Sequence, residues 1–149
     1  MLTARDIMTA HPSVITPEDT VARAAQLMRD RRVGILPVIN DLVHRQLVGI
    51  LTDRDILVRC FASGHGGGCL VRDHMTSDRL EWVHPNDELS AVVAHMKLCQ
   101  LRRMLVVDEK QGVIGIISVP DLARRLEVTE PDFMRTVDDL LRSAHAMKV

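Results

Sequence analysis

A chain of 149 residues with 26% charged and 46% hydrophobic residues and a net charge of −1 reads as an ordinary globular protein. It is long enough to bury about two-thirds of its unfolded surface. The longest uncharged stretch, Cys60 to Val71, is broken by glycines and His65, so nothing approaches the roughly 18 apolar residues of a membrane span. Near-neutral charge and three aromatics (Phe61, Trp82, Phe133) remove the basic footprint and stacking rings of nucleic-acid binders, leaving nucleic acid a poor partner. The amino terminus meets Asp6 before an apolar run builds, which lacks the plan of a signal peptide. Cys60, Cys69 and Cys99 form no CxxC pair and are odd in number, which gives neither a disulfide framework nor a zinc ribbon. The expectation is a cytoplasmic protein with free thiols, no membrane association and no bound metal.

In chain order, the short apolar piece Val14-Ile15-Thr16 precedes Pro17, and Asp19 stands where a helix N-cap belongs. Val21, Ala24, Ala25 and Met28 fall at i, i+3, i+4 and i+7, predicting an amphipathic helix ended by Gly34. Ile35 to Ile39 reads as a strand buried on both faces, Asn40-Asp41 as a turn, and Leu47 to Leu51 as a second strand. A helix follows from Asp53 to about Ala62, and Ser63 to Gly68 reads as a flexible linker.

The chain then repeats itself. Asp6-Ile7-Met8-Thr9 recurs as Asp73-His74-Met75-Thr76, and Pro17, Asp19, Val21, Met28 and Val38 find counterparts in Pro85, Asp87, Leu89, Met96 and Val106. The second copy predicts a strand at Leu80 to Val83, a helix with Leu89, Val92, Val93 and Met96 on one face, strands at Met104 to Val107 and Val113 to Ile117, and a helix from Pro120 to about Leu126. The fold class is α+β, in the order β-α-β-β-α twice. One more helix is expected in the tail, with Phe133, Val137, Leu140, Leu141 and Ala144 on an apolar stripe that needs a cover.

Two such copies, carrying Leu36-Pro37-Val38-Ile39-Asn40 and the septets Gly49-Ile50-Leu51-Thr52-Asp53-Arg54-Asp55 and Gly115-Ile116-Ile117-Ser118-Val119-Pro120-Asp121, resemble a tandem cystathionine-β-synthase (CBS) domain pair, or Bateman module, of the stand-alone bacterial type. On that resemblance the chain divides into repeats at 3–62 and 73–127, a glycine-rich linker at 63–72 and a helical tail at 129–149. The repeats are expected to pack with pseudo-twofold symmetry. The family implies regulatory binding of adenosine-containing ligands (AMP, ADP, ATP, S-adenosylmethionine or NAD) in a cleft between the copies, with no catalysis and no required cofactor. Carried over, the ribose contacts are Thr52 and Asp55 in one site and Ser118 and Asp121 in the other. The base region takes Ile15, Thr16 and Pro37, or Val83 and His84, and phosphate contacts fall to Arg54, Arg102 and Arg103. Leu105 replaces the proline represented by Pro37, His84 replaces Thr16, and Val119-Pro120 replaces Asp53-Arg54, so the two sites are not equivalent.

A plainer reading competes for the same residues. Thr52-x-x-Asp55 and Ser118-x-x-Asp121 also satisfy the capping-box pattern, and a cap can coexist with ribose binding, because one carboxylate oxygen remains. The three arginines can equally be solvated turn charges. His95 and Cys99 have metal-compatible spacing, but His65 and Cys69, the remaining candidates, sit in the expected linker. Two functions therefore stay open: a ligand sensor signalling to a protein target, and a dimerisation or docking module whose septets are only caps. Homodimerisation is expected in either case.

Overall fold

The computed structural model describes residues 1–126 together with Arg135, Asp139 and Arg142. The predicted tail helix and its stripe of Phe133, Val137, Leu140, Leu141 and Ala144 lie outside the described residues. The architecture is α+β. Helix α1 (Ala4–Ile7) leads into β1 (Thr9–Ala10), α2 (Val21–Arg31), β2 (Ile35–Ile39), β3 (Leu47–Thr52) and the short α3 (Asp53–Asp55), which continues as a π-helical turn, Ile56–Phe61. After a 3-10 turn at Val71–Asp73 come β4 (Trp82–Val83), α4 (Leu89–Cys99), β5 (Arg103–Val107), β6 (Val113–Ser118) and α5 (Val119–Leu126).

Two compact units divide the chain. One comprises residues 11–80 with 110–113; the other comprises 1–10, 81–109 and the described residues from 114 onward. The first ten residues thus belong with the second repeat's elements, and the Asp73-His74-Met75-Thr76 tetrad with the first repeat's. Thr9 and Ala10 pair antiparallel with Ile116 and Gly115, giving a sheet in the order β1-β6-β5-β4. In the other unit Thr76 bridges Ile50 of β3, β3 pairs with β2, and Ile15 bridges Val38 in parallel. The same four-position sheet is built twice, with two of its positions in the first unit reduced to single bridges.

The glycine of each septet is fixed by this exchange. A Cβ at Gly49 would stand 2.7 Å from Met75 Sδ, and one at Gly115 would collide with Met8 Sδ. Each methionine of the repeated tetrad covers the septet glycine of the opposite repeat, filling the space a side chain would need.

Most predicted strands and helices form, but Val14-Ile15-Thr16 is reduced to the single Ile15–Val38 bridge, the strand at Leu80 to Val83 to Trp82–Val83, and the helix from Asp53 to α3 and its π-helical turn, while α1 and β1 are not among the predicted elements. On α4 the expected face of Leu89, Val92, Val93 and Met96 is buried, but on α2 Ala25 is exposed and Leu27 packs against the core beside Ala24 and Met28. Asp19 does not cap α2. Thr20 does, accepting from Arg23 N at 3.1 Å, while Asp19 turns back to accept from Thr16 N and Thr16 Oγ1, each at 2.9 Å. Neither helix needs a glycine to stop, because Arg32 and Gln100 adopt the left-handed conformation at its end (φ 54° and 55°). Gly34 serves close packing instead, since its Cβ would lie 2.9 Å from Asp53 Oδ2.

The glycine run is not a free tether. Val21 N donates to Cys69 O at 2.8 Å and Ala22 N to Gly67 O at 2.9 Å, so the loop supplies acceptors for the first amides of α2. Val71 N and Arg72 N donate back to Asp19 O and Pro17 O. Composition suggested mobility; unsatisfied helix-terminal amides give the loop a fixed partner.

Candidate functional site

Each septet ends where a strand runs directly into a helix, and each turn is tied by the same reciprocal bonds. Asp55 N donates to Thr52 Oγ1 at 3.1 Å while Thr52 N donates to Asp55 Oδ2 at 2.9 Å. In the second repeat Asp121 N donates to Ser118 Oγ at 3.2 Å, and Ser118 Oγ lies 2.6 Å from Asp121 Oδ2. The capping box anticipated from spacing is therefore present at both turns. It engages Oδ2 of each carboxylate and leaves Oδ1 outside the capping bonds. Arg59 Nε lies 3.6 Å from Asp55 Oδ1, and Arg124 Nη2 lies 2.8 Å from Asp121 Oδ1. Sequence reasoning passed over these two arginines, although they stand four and three residues after their partners, where helix neighbours meet.

The residues expected near the base sit on adjoining positions of the same sheets. Ile15 N donates to Pro37 O and Ile39 N to Ile15 O, which sets Ile15, Thr16 and Pro37 beside the strand that ends at Thr52. Ile15 and Pro37 are buried and Thr16 is half-buried. In the other unit Val83 pairs with Val106 and is buried, while His84 is largely exposed. The His84 ring is nonetheless held: Nδ1 lies 3.1 Å from Val107 O, so that nitrogen carries its proton and donates. His84 N donates to Asp87 Oδ2 at 2.8 Å, repeating the Thr16–Asp19 backbone contact without the hydroxyl.

The arginines divide. Val119 N donates to Arg102 O at 3.0 Å, just as Asp53 N donates to Gly34 O at 2.9 Å. Arg102 therefore stands beside the Ser118–Asp121 turn, and the exposed Arg103 after it begins β5. At the corresponding place the first repeat has Gly34, whose Cβ would lie 2.9 Å from Asp53 Oδ2, and it offers no cation there; the second repeat has Arg102 with Val119 in place of that carboxylate. Arg54 is exposed, on the first turn of α3, and Pro120 stands at its place in the second repeat.

Two clusters of metal-compatible donors also emerge. Cys60, Cys69 and His74 place one ligand atom each within 4.8 Å of one another, and so do Glu81, His95 and Cys99. In the second cluster His95 Nε2 is already 2.7 Å from Glu81 Oε2. In the first, burial and then the neighbouring Cys69 push the Cys60 thiol above its ordinary range. Spacing alone displayed only the His95–Cys99 pair, because Cys60 and His74 come from elements that meet only through the docked loop.

The profile of the CBS domain matches residues 4–61 and 71–128, and the chain belongs to the CBS domain family as a tandem pair. Hypoxic response protein 1 of Mycobacterium tuberculosis is 34% identical over 126 residues, 85% of this chain and 86% of that protein. A crystal structure of hypoxic response protein I with two coordinated zinc ions superposes with a TM-score of 0.74 at 32% identity, covering 84% of this chain and 99% of the other. The CBS domain-containing protein YhcV of Bacillus subtilis is 35% identical over 123 residues, 83% of this chain and 84% of YhcV. CBSX2 in complex with AMP superposes with a TM-score of 0.72 at 28% identity over 86% of this chain and 98% of that one. No described helix is long and apolar enough to cross a membrane.

Proposed function

We propose that this CBS pair is a regulatory module that binds adenosine-containing ligands at its two strand-to-helix turns and signals to a protein target. Thr52 and Asp55, and Ser118 and Asp121, hold the ribose diol. Ile15, Thr16 and Pro37, or Val83 and His84, flank the base. The observation that carries this reading is the pair of carboxylates whose Oδ2 is engaged by the turn and whose Oδ1 meets an exposed arginine, a weakly held partner that a diol can displace. The AMP complex of the related CBSX2 supports an adenosine ligand. Arg102 and Arg103 give the second site the phosphate preference, since guanidinium forks match phosphate oxygens. The ligand acts as an effector and no residue performs chemistry on it. Three free cysteines fit a reducing cytoplasm.

A thermal-shift panel of AMP, ADP, ATP, S-adenosylmethionine, NAD and GTP tests this on ligand-free protein. A ligand at a hundredfold excess over its Kd adds about 2.7 kcal/mol. For a chain of this size that raises Tm by roughly 5–10 °C. At least one adenosine ligand should produce the shift and GTP should not. A flat panel favours the second reading, a dimerisation or docking module, which draws support from the pairing of both Oδ1 atoms with Arg59 and Arg124.

A further inference from the structure

We infer that Cys60, His65, Cys69 and His74 form a tetrahedral zinc site that clasps the glycine-rich loop to the end of the first repeat's π-helical turn. The Sγ atoms of Cys60 and Cys69 and a ring nitrogen of His74 lie within 4.8 Å of one another. His65 Nδ1 lies 3.5 Å from His74 Nε2, with ring centroids 5.3 Å apart. Two nitrogens on one tetrahedral zinc, each about 2.0–2.1 Å from the metal, stand about 3.3 Å apart, so this approach is already close to a coordination edge. Two thiols and two imidazoles are the donor set that favours zinc over harder cations, and the gaps of four, three and four residues between successive donors suit a compact site.

The donors are held in place before any metal arrives. Cys60 is 2% exposed, and His74, at 5%, is the buried polar residue among the described residues. A core imidazole facing two thiols has weak partners there, and a cation gives all of them a strong one. His65 N donates to Cys60 O at 3.0 Å, Cys69 O accepts from Val21 N, and His74 N donates to Val71 O at 3.0 Å. Gly64 supplies a left-handed bend (φ 78°), and Gly67 passes so close to α2 that its Cβ would lie 2.9 Å from Ala22 Cβ. These backbone ties bring Cys60 of the π-helical turn, Cys69 of the loop and His74 of the segment after it together, with the loop's exposed His65 beside His74 to close the fourth position. The Glu81–His95–Cys99 cluster offers three donors, one pair of which is already spent on the hydrogen bond between Glu81 and His95.

The test is elemental analysis of the full chain, loaded with zinc and dialysed against metal-free buffer, followed by cobalt(II) substitution. Wild type should retain one zinc per chain, and the cobalt form should show thiolate charge-transfer bands and the intense visible absorption of a tetrahedral site. Cys69→Ser should lose the metal. His65→Ala, at an exposed position that does not endanger folding, should weaken zinc affinity by about tenfold or more, and Cys99→Ser should change nothing. Wild type that retains no zinc and gives no tetrahedral cobalt spectrum overturns the inference. So does metal lost in Cys99→Ser but kept in Cys69→Ser, or a Cys60–Cys69 disulfide in protein purified without reductant.

Discussion

Replacing Asp55 by Asn separates capping from ligand binding, because the two roles use different oxygens and respond differently to loss of charge. In the unliganded protein the amide oxygen of Asn can still accept from Thr52 N, now 2.9 Å from Asp55 Oδ2. The pair with Arg59 is long, at 3.6 Å, and Arg59 is 51% exposed, so its loss costs about 0–0.5 kcal/mol. Removing a negative charge from the first turn of a helix costs a further ~0.3–1 kcal/mol. The unliganded protein should therefore lose at most about 1.5 kcal/mol, roughly 3–6 °C in Tm. Asp121→Asn should lose about 1 kcal/mol more, because it gives up a 2.8 Å pair with Arg124 and a short charge-assisted bond from Ser118 Oγ. Ribose hydroxyls bonded to a carboxylate contribute about 1.5–3 kcal/mol through the charge. Each variant should then bind AMP or ATP about 10- to 150-fold more weakly at its own site, as read by titration calorimetry. If both variants bind as wild type does while their unliganded Tm falls, the septets are caps and the ribose assignment is wrong.

Gly49→Ala and Gly115→Ala should each destabilise by about 1–3 kcal/mol in denaturant titrations, with Gly115→Ala the worse because Met8 Cβ as well as Sδ is close; a neutral result would show that Met8 and Met75 do not seal these glycines. Two carboxyls, Asp6 and Asp41, are held below their ordinary value of 3.8, first by the backbone amides of Thr3 and His44 and then by the side chains of the same residues. A depressed folded pKa stabilises in full above the ordinary value and loses its effect as pH falls through the folded one, so Asp6→Asn with Asp41→Asn should flatten the acid limb of Tm against pH; an unchanged limb would refute these bonds. Light scattering at tens of micromolar should give a dimer, and removal of the chain from Thr129 onward should weaken it or cause aggregation; a monomeric full-length chain would sink the expectation.

Periodicity and repetition alone determined a good deal. The 3.6-residue spacing of Leu89, Val92, Val93 and Met96, the unbroken apolar run at Ile35 to Ile39 and the twice-written septet set the helix–strand–strand–helix core of each repeat and the capping boxes, and carried the resemblance to the CBS pair. These are local matters, because a helix face, a buried strand and a Thr-x-x-Asp turn are each decided within a few residues. Tertiary structure decided what depends on residues far apart in the chain. Met8 over Gly115 and Met75 over Gly49 cross between repeats, so a sequence repeat beginning near the tetrad does not coincide with a compact unit. Asp19 and Asp87 carry the composition of N-caps, yet they turn back to bond Thr16 and His84, because their backbones lie before the true caps. The glycine loop, mobile by composition, is anchored because the open amides at the start of α2 need acceptors and glycine lets backbone approach them closely. That anchoring brings Cys69 and His65 to Cys60 and His74, a meeting no linear spacing displays.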